Sequence, residues 1–141
     1  MQKWAVLAVA TMVVVGFAAP ASADDECKAN FTETGSFLAG HTFKTHAVVP
    51  VSKDVVYKRV YAFPVEESWR ILQANEDVGV ISASTDIRGS NNGTAPMGIV
   101  LSDENGGQTK VSITFNIGIG KIAPHVDDYL CKIANAAANG N

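Results

Sequence analysis

The chain is poor in the residues from which reactive sites and nucleic-acid surfaces are usually built. It has two cysteines, three histidines, and eleven Lys and Arg against fourteen Asp and Glu, for a net charge of −3. The basic residues are scattered, and Lys58-Arg59 is their only adjacent pair. This argues against nucleic-acid binding, where a basic stripe supplies most of the affinity, and gives no support for attraction to an anionic membrane. No serine sits in a G-x-S-x-G turn, and neither cysteine lies beside a histidine in sequence. "NIGIGK" at 116–121 lacks the spacing of a phosphate loop and reads as a strand-to-helix turn. His41 and His46, five apart on one expected strand, face opposite sides. His125, Asp127 and Asp128 crowd a helix start, where the dipole already accounts for the aspartates. No catalytic residue, metal ligand or cofactor is therefore assigned. The carboxylate pairs Glu66-Glu67, Glu76-Asp77 and Asp103-Glu104 fall in expected turns and ends, where solvated charge is the default.

The first residues, MQKWAVLAVATMVVVGFAAPASA, carry one early lysine, a short apolar run and a small-x-small site ending at Ala23. That is the form of a secretory signal peptide over residues 1–23, and the run is short for a membrane span of about 20 residues. Cys27 follows closely, but Asp24, Asp25 and Glu26 precede it, which is not a lipobox. The expectation is a periplasmic or secreted, non-lipidated protein with no stable membrane insertion once the leader is cleaved. In an oxidising compartment Cys27 and Cys131 are expected to form a disulfide closing a loop of about 100 residues. The alternative is one buried thiol and one free thiol.

Residues 24–40 are polar with two glycine breakers, and read as an N-terminal arm holding at most a short ordered piece. Residues 41–138 read as a single α+β domain. "HTFKTHAVVP" is a strand stopped by Pro50. Over 51–68, Val56, Val60 and Phe63 share one helical arc, Ser52 suits an N-cap, and Pro64 is expected to end or kink the helix near Phe63. Trp69–Ala74 and Val78–Thr85 alternate as a hairpin around "NEDVG", and 86–96 reads as a loop. Strands follow at 97–104 and 109–118, the second with Val111, Ile113, Phe115 and Ile117 on its covered face. A final helix over 123–137 carries Val126, Tyr129, Leu130, Ile133 and Ala134 on one stripe, with Pro124 in its first turn. The order β-α-β-β-β-β-α implies an antiparallel sheet with two helices on one face.

"SWRILQANEDVGVISAS" resembles a pattern, G/S-W-x-I, then an acidic turn, then G-x-I-x-A, carried by small uncharacterised exported bacterial proteins and lipoproteins. The element order is similar to the helix-grip domains of the outer-membrane assembly lipoprotein BamC, in which a long C-terminal helix lies across a curved sheet. The matching residues, Trp69, Ile71, Gly79, Ile81 and Ala83, build packing and turns, so the resemblance implies a fold and a compartment. Helix-grip sheets can leave a cavity beneath the long helix. Its expected wall is Trp69, Ile71, Met97, Ile99, Phe115, Tyr129 and Ile133, and the competing reading is that these simply fill the core. The leading functional expectation is a non-enzymatic envelope protein that binds a protein partner or a small apolar ligand. The rivals are a scaffold module of envelope assembly and a small hydrolase or metal-dependent enzyme.

Overall fold

The computed structural model of the chain describes residues 21–87 and 93–140. Its helices are α1 (Ala23–Ala29), α2 (Lys53–Glu66) and α3 (Val126–Asn139). Its strands are β1 (Thr32–Ser36), β2 (Gly40–Val49), β3 (Arg70–Asn75), β4 (Val80–Asp86), β5 (Thr94–Glu104) and β6 (Gln108–Ile117). They form one antiparallel sheet in the order β1-β2-β6-β5-β4-β3. Because strand side chains alternate, a period-2 apolar pattern gives the sheet one dry face. Phe43, Ala47, Ile81, Ala83, Met97, Ile99, Val111, Ile113 and Phe115 are all buried on it. Register then stacks them in rows, with Phe115 opposite both Phe43 and Met97, and Ile99 opposite both Ile81 and Ile113. Val56, Val60 and Phe63 of α2, and Leu130, Ile133 and Ala137 of α3, complete this core. The α+β architecture with helices gripping one sheet face is thus as the alternation implies.

Residues 24–40 carry more order than their polar composition announces: α1 and β1 both form there. β1 pairs with β2 only as far as Lys44. Beyond that point α1 satisfies the open edge of β2. Asn30 Nδ2 donates to the His46 carbonyl at 3.2 Å, and Glu26 Oε1 accepts from the Val48 amide at 3.1 Å. An edge strand covered this way is closed to pairing with another chain. Cys27 and Cys131, both fully buried, are joined in a disulfide that ties α1 to α3, with Cα atoms 5.6 Å apart. The expected signal peptide falls mainly on residues 1–20, outside the described residues.

Several boundaries differ from expectation; Val78, expected in a strand, lies in the β3–β4 turn, and β4 starts at Val80. Pro64 does not end α2, which runs to Glu66 with the proline buried on its inner side. The helix instead closes through the Ser68 amide on the Val65 carbonyl and the Trp69 amide on the Pro64 carbonyl, with Ser68 left-handed at φ 59°. That bond pattern is a Schellman motif, here with serine where glycine is usual. β5 begins at Thr94, inside the expected loop, because Pro96 pairs with Ser84 without its missing amide breaking the ladder. α3 begins at Val126, after a left-handed His125 (φ 56°), so Pro124 lies in the approach to the helix. The β3–β4 turn needs Gly79: its φ is 78°, its carbonyl accepts from the Leu101 amide at 2.7 Å, and a Cβ would lie 2.7 Å from the Leu101 carbonyl oxygen.

Candidate functional site

The approach to α3 and the end of the sheet border an open cleft of about 740 Å³. Three aromatic side chains line it: Trp69, Phe115 and Tyr129. Each is placed by a different element. The Schellman closure of α2 turns Trp69 inward, β6 carries Phe115 on its dry face, and Tyr129 follows Val126 by one helical turn. Trp69 stacks on Tyr129 with centroids 5.8 Å apart, and lies tilted 5.9 Å from Phe115. Phe63 supports Tyr129 from behind, edge-on at 5.4 Å. Thr85, Ala123, Pro124, His125 and Val126 complete the lining, with Asp24, Asp128 and Lys132 also on it.

The charged side is locally neutralised. Lys28 Nζ lies 3.2 Å from Asp24 and 3.4 Å from Asp128, tying α1 to the start of α3 across the surface. Hydrogen bonding to these two carboxylates holds the Lys28 ammonium above its ordinary pKa. His125 Nδ1 is 4.0 Å from Asp128 Oδ2 on the exposed lip. Burial pushes the Tyr129 hydroxyl up to about 12, the Glu67 charge adds to this, and a hydrogen bond from Trp69 opposes it. The site is thus an aromatic hollow whose edge carboxylates are paired with Lys28, suited to holding an apolar group.

Of the seven residues expected to wall a cavity, Trp69, Phe115 and Tyr129 reach the cleft. Met97, Ile99 and Ile133 do not line it; they are 2, 0 and 0 % exposed and fill the middle of the core. Periodicity identifies a face, while distance from the end of that face decides which side chains meet the opening. Ile71 is half-buried on β3 away from the cleft, beside a bulge between Ile71 and Gln73 that breaks the hairpin's alternation. Sequence reasoning missed Thr85 and the stretch Ala123–Val126. The latter's one signal was Pro124 between two strongly periodic segments.

The histidines are dispersed. His41 stacks on Phe43, and its Nδ1 lies 2.7 Å from Glu33 Oε1 without a well-aligned hydrogen bond. His46 faces the other side of β2, as the five-residue spacing requires. No group of three metal-ligating residues occurs among the described residues. Both thiols are consumed by the disulfide, so neither is a nucleophile.

No protein-family model and no curated protein matches the chain. Among solved structures it is similar to the conserved protein of unknown function EF2215 from Enterococcus faecalis, with a TM-score of 0.54 and 8 % identity, covering 84 % of this chain and 83 % of that one. It is also similar to CalU16 from Micromonospora echinospora, with a TM-score of 0.51 and 10 % identity over 76 % of this chain and 81 % of that one. A third likeness is to Ara h 8.0201, with a TM-score of 0.50 and 14 % identity over 70 % and 95 % of the two chains. At such identities the likeness shows the fold alone. The fold is a helix-grip. Of the resemblance to BamC, the comparisons support this arrangement and nothing specific to that lipoprotein.

Proposed function

We propose that the chain is an exported, non-enzymatic binding protein that holds a small apolar ligand in the cleft formed by Trp69, Phe115 and Tyr129. The observation that carries this reading is the cleft itself. A hollow of about 740 Å³ with three aromatic walls has the size and lining of a small-molecule site. The carboxylates on its edge, Asp24 and Asp128, are already paired with Lys28, so an apolar occupant leaves neither acid stranded. Export is supported by the leader pattern over 1–23 and by the disulfide between Cys27 and Cys131, a bond that persists in oxidising compartments. No helix among the described residues is long and apolar enough to cross a membrane.

Native mass spectrometry of the protein recovered after export, followed by the same spectrum after denaturation, tests the proposal. A mass excess that disappears on denaturation shows a non-covalent ligand and gives its mass, and an organic compound recovered at that mass supports the proposal. A chain without any excess, whose Trp69 fluorescence is also unmoved by an apolar dye, overturns the reading and turns attention to a protein partner. The chain contains only Trp4 and Trp69, so after leader removal all tryptophan fluorescence reports on the cleft. The denatured mass fixes both the new N-terminus and the two-hydrogen deficit of the disulfide.

A further inference from the structure

At the end of the sheet next to the cleft, two loops expose large apolar side chains together. Phe37 and Leu38 form the β1–β2 turn and are 51 and 80 % exposed; Ile119 and Ile122, in the β6–α3 loop, are 66 and 77 % exposed. The loops are fastened to each other by the Gly120 amide, which donates to the Phe37 carbonyl at 2.7 Å. Scattered exposed apolar residues need no explanation, but four on adjoining tips mark a contact surface.

We propose that this tip docks on a lipid surface by inserting Phe37, Leu38, Ile119 and Ile122 among the acyl chains. One feature of the tip selects a bilayer over another protein: shallow insertion needs an apolar tip whose flanks bring no acid to the surface. Residues 34–40 and 117–123 contain no carboxylate, in a chain of net charge −3, and their single charge is Lys121 between the two isoleucines. Insertion therefore buries no acid. The same β6–α3 loop runs on into Ala123, Pro124 and His125 of the cleft lining, so docking holds the cleft at the boundary where apolar molecules dissolve. That last consequence rests on the proposed binding function; the docking does not.

The test is flotation of the exported protein with phosphatidylcholine vesicles, at low salt and at about 1 M salt, its N-terminus first verified so that residues 1–20 contribute nothing. The wild type is expected to float equally at both salts, since apolar insertion drives the binding. The double variant Leu38→Asp, Ile122→Asp alters two highly exposed side chains, so its melting curve is expected to match the wild type, while its partitioning falls about tenfold or more. A wild type that stays with the solvent, or a variant that floats as well as the wild type, overturns the proposal. So does a concentration-dependent dimer that the variant abolishes in the absence of vesicle binding, which assigns the tip to a second copy of the chain. Native mass of the same variant separates the two readings: ligand retained with docking lost leaves the cleft proposal standing alone.

Discussion

Trp69 lies against Tyr129 with their rings 13° from parallel, joining the residue that follows α2 to the first full turn of α3. The pair closes one side of the cleft and bridges elements that are remote in sequence. Its contribution to stability is modest, because an aromatic pair adds about 0.5–1.5 kcal/mol beyond its buried area. Its contribution to an occupant is larger, because Trp69 is a wall.

Trp69→Ala is therefore expected to lower the affinity for an apolar ligand about tenfold or more, with a stability cost of about 1–3 kcal/mol. Met97→Ala, at a residue 2 % exposed in the core, is expected to cost about 2–5 kcal/mol while the folded protein binds as before. Urea denaturation with parallel ligand titrations checks both. An equal binding loss in the two variants would mean that the cleft extends into the core.

Tyr129 gives the alkaline limb of stability a defined sign. Its hydroxyl is pushed up to about 12 in the folded protein, from an ordinary value near 10. Below pH 10 the phenol is neutral in both states and this stabilisation is fully present. Between about 10 and 12 the unfolded chain loses its proton first, so stability falls as pH rises. Denaturation midpoints followed through this window are expected to fall more steeply for the wild type than for Tyr129→Phe. Identical slopes would mean that Tyr129 titrates normally.

Much of this architecture was legible because its strands keep strict period-2 order. Val111, Ile113, Phe115 and Ile117 announce a dry face, and α3 carries its stripe from Val126 to Ala137. α1 and β1 were not legible, because what holds them is tertiary. Thr45 Oγ1 donates to the Cys27 carbonyl, Glu26 and Asn30 serve the edge of β2, and Cys27 joins Cys131 across the fold. A seven-residue helix with three acids in its first turn has no propensity-based reason to persist alone. The cleft was half legible for a similar reason. Aromatic periodicity located Phe115 and Tyr129, while the left-handed His125 that shapes the lip follows from no pattern in the residues.

That dependence makes the disulfide a test of α1. Replacing both Cys27 and Cys131 by alanine, or reducing the bond, is expected to cost about 2–5 kcal/mol, since the bridge spans 104 positions of chain. The loss is expected to fall first on α1, whose remaining ties are a few hydrogen bonds and the Lys28 ion pairs on its exposed side. Hydrogen exchange should show the part of α1 left after leader removal, residues 24–29, deprotecting before β5 and β6. Uniform deprotection across the sheet would show instead that α1 and the core unfold as one unit.

Ser68 offers a gain in stability. It holds φ 59° at the close of α2, where a side chain on Cβ meets the backbone and glycine does not. Both bonds of the closure, Ser68 to Val65 and Trp69 to Pro64, run through backbone atoms and survive loss of the hydroxymethyl group. Relief of the left-handed penalty, about 1–2 kcal/mol, outweighs the added flexibility of glycine in the unfolded chain, about 0.5–1 kcal/mol. Ser68→Gly is expected to raise stability by about 0.5–1 kcal/mol and the melting temperature by a few degrees. Ser68→Val is expected to lower both, because a β-branched residue is a genuine outlier at positive φ. Since Ser68 sets the entry of Trp69 into the cleft, the valine variant should also shift the tryptophan emission towards the solvent-exposed value. Thermal melts and fluorescence on the same samples read both effects, and a glycine variant less stable than the wild type would show that the serine hydroxyl itself supports the turn.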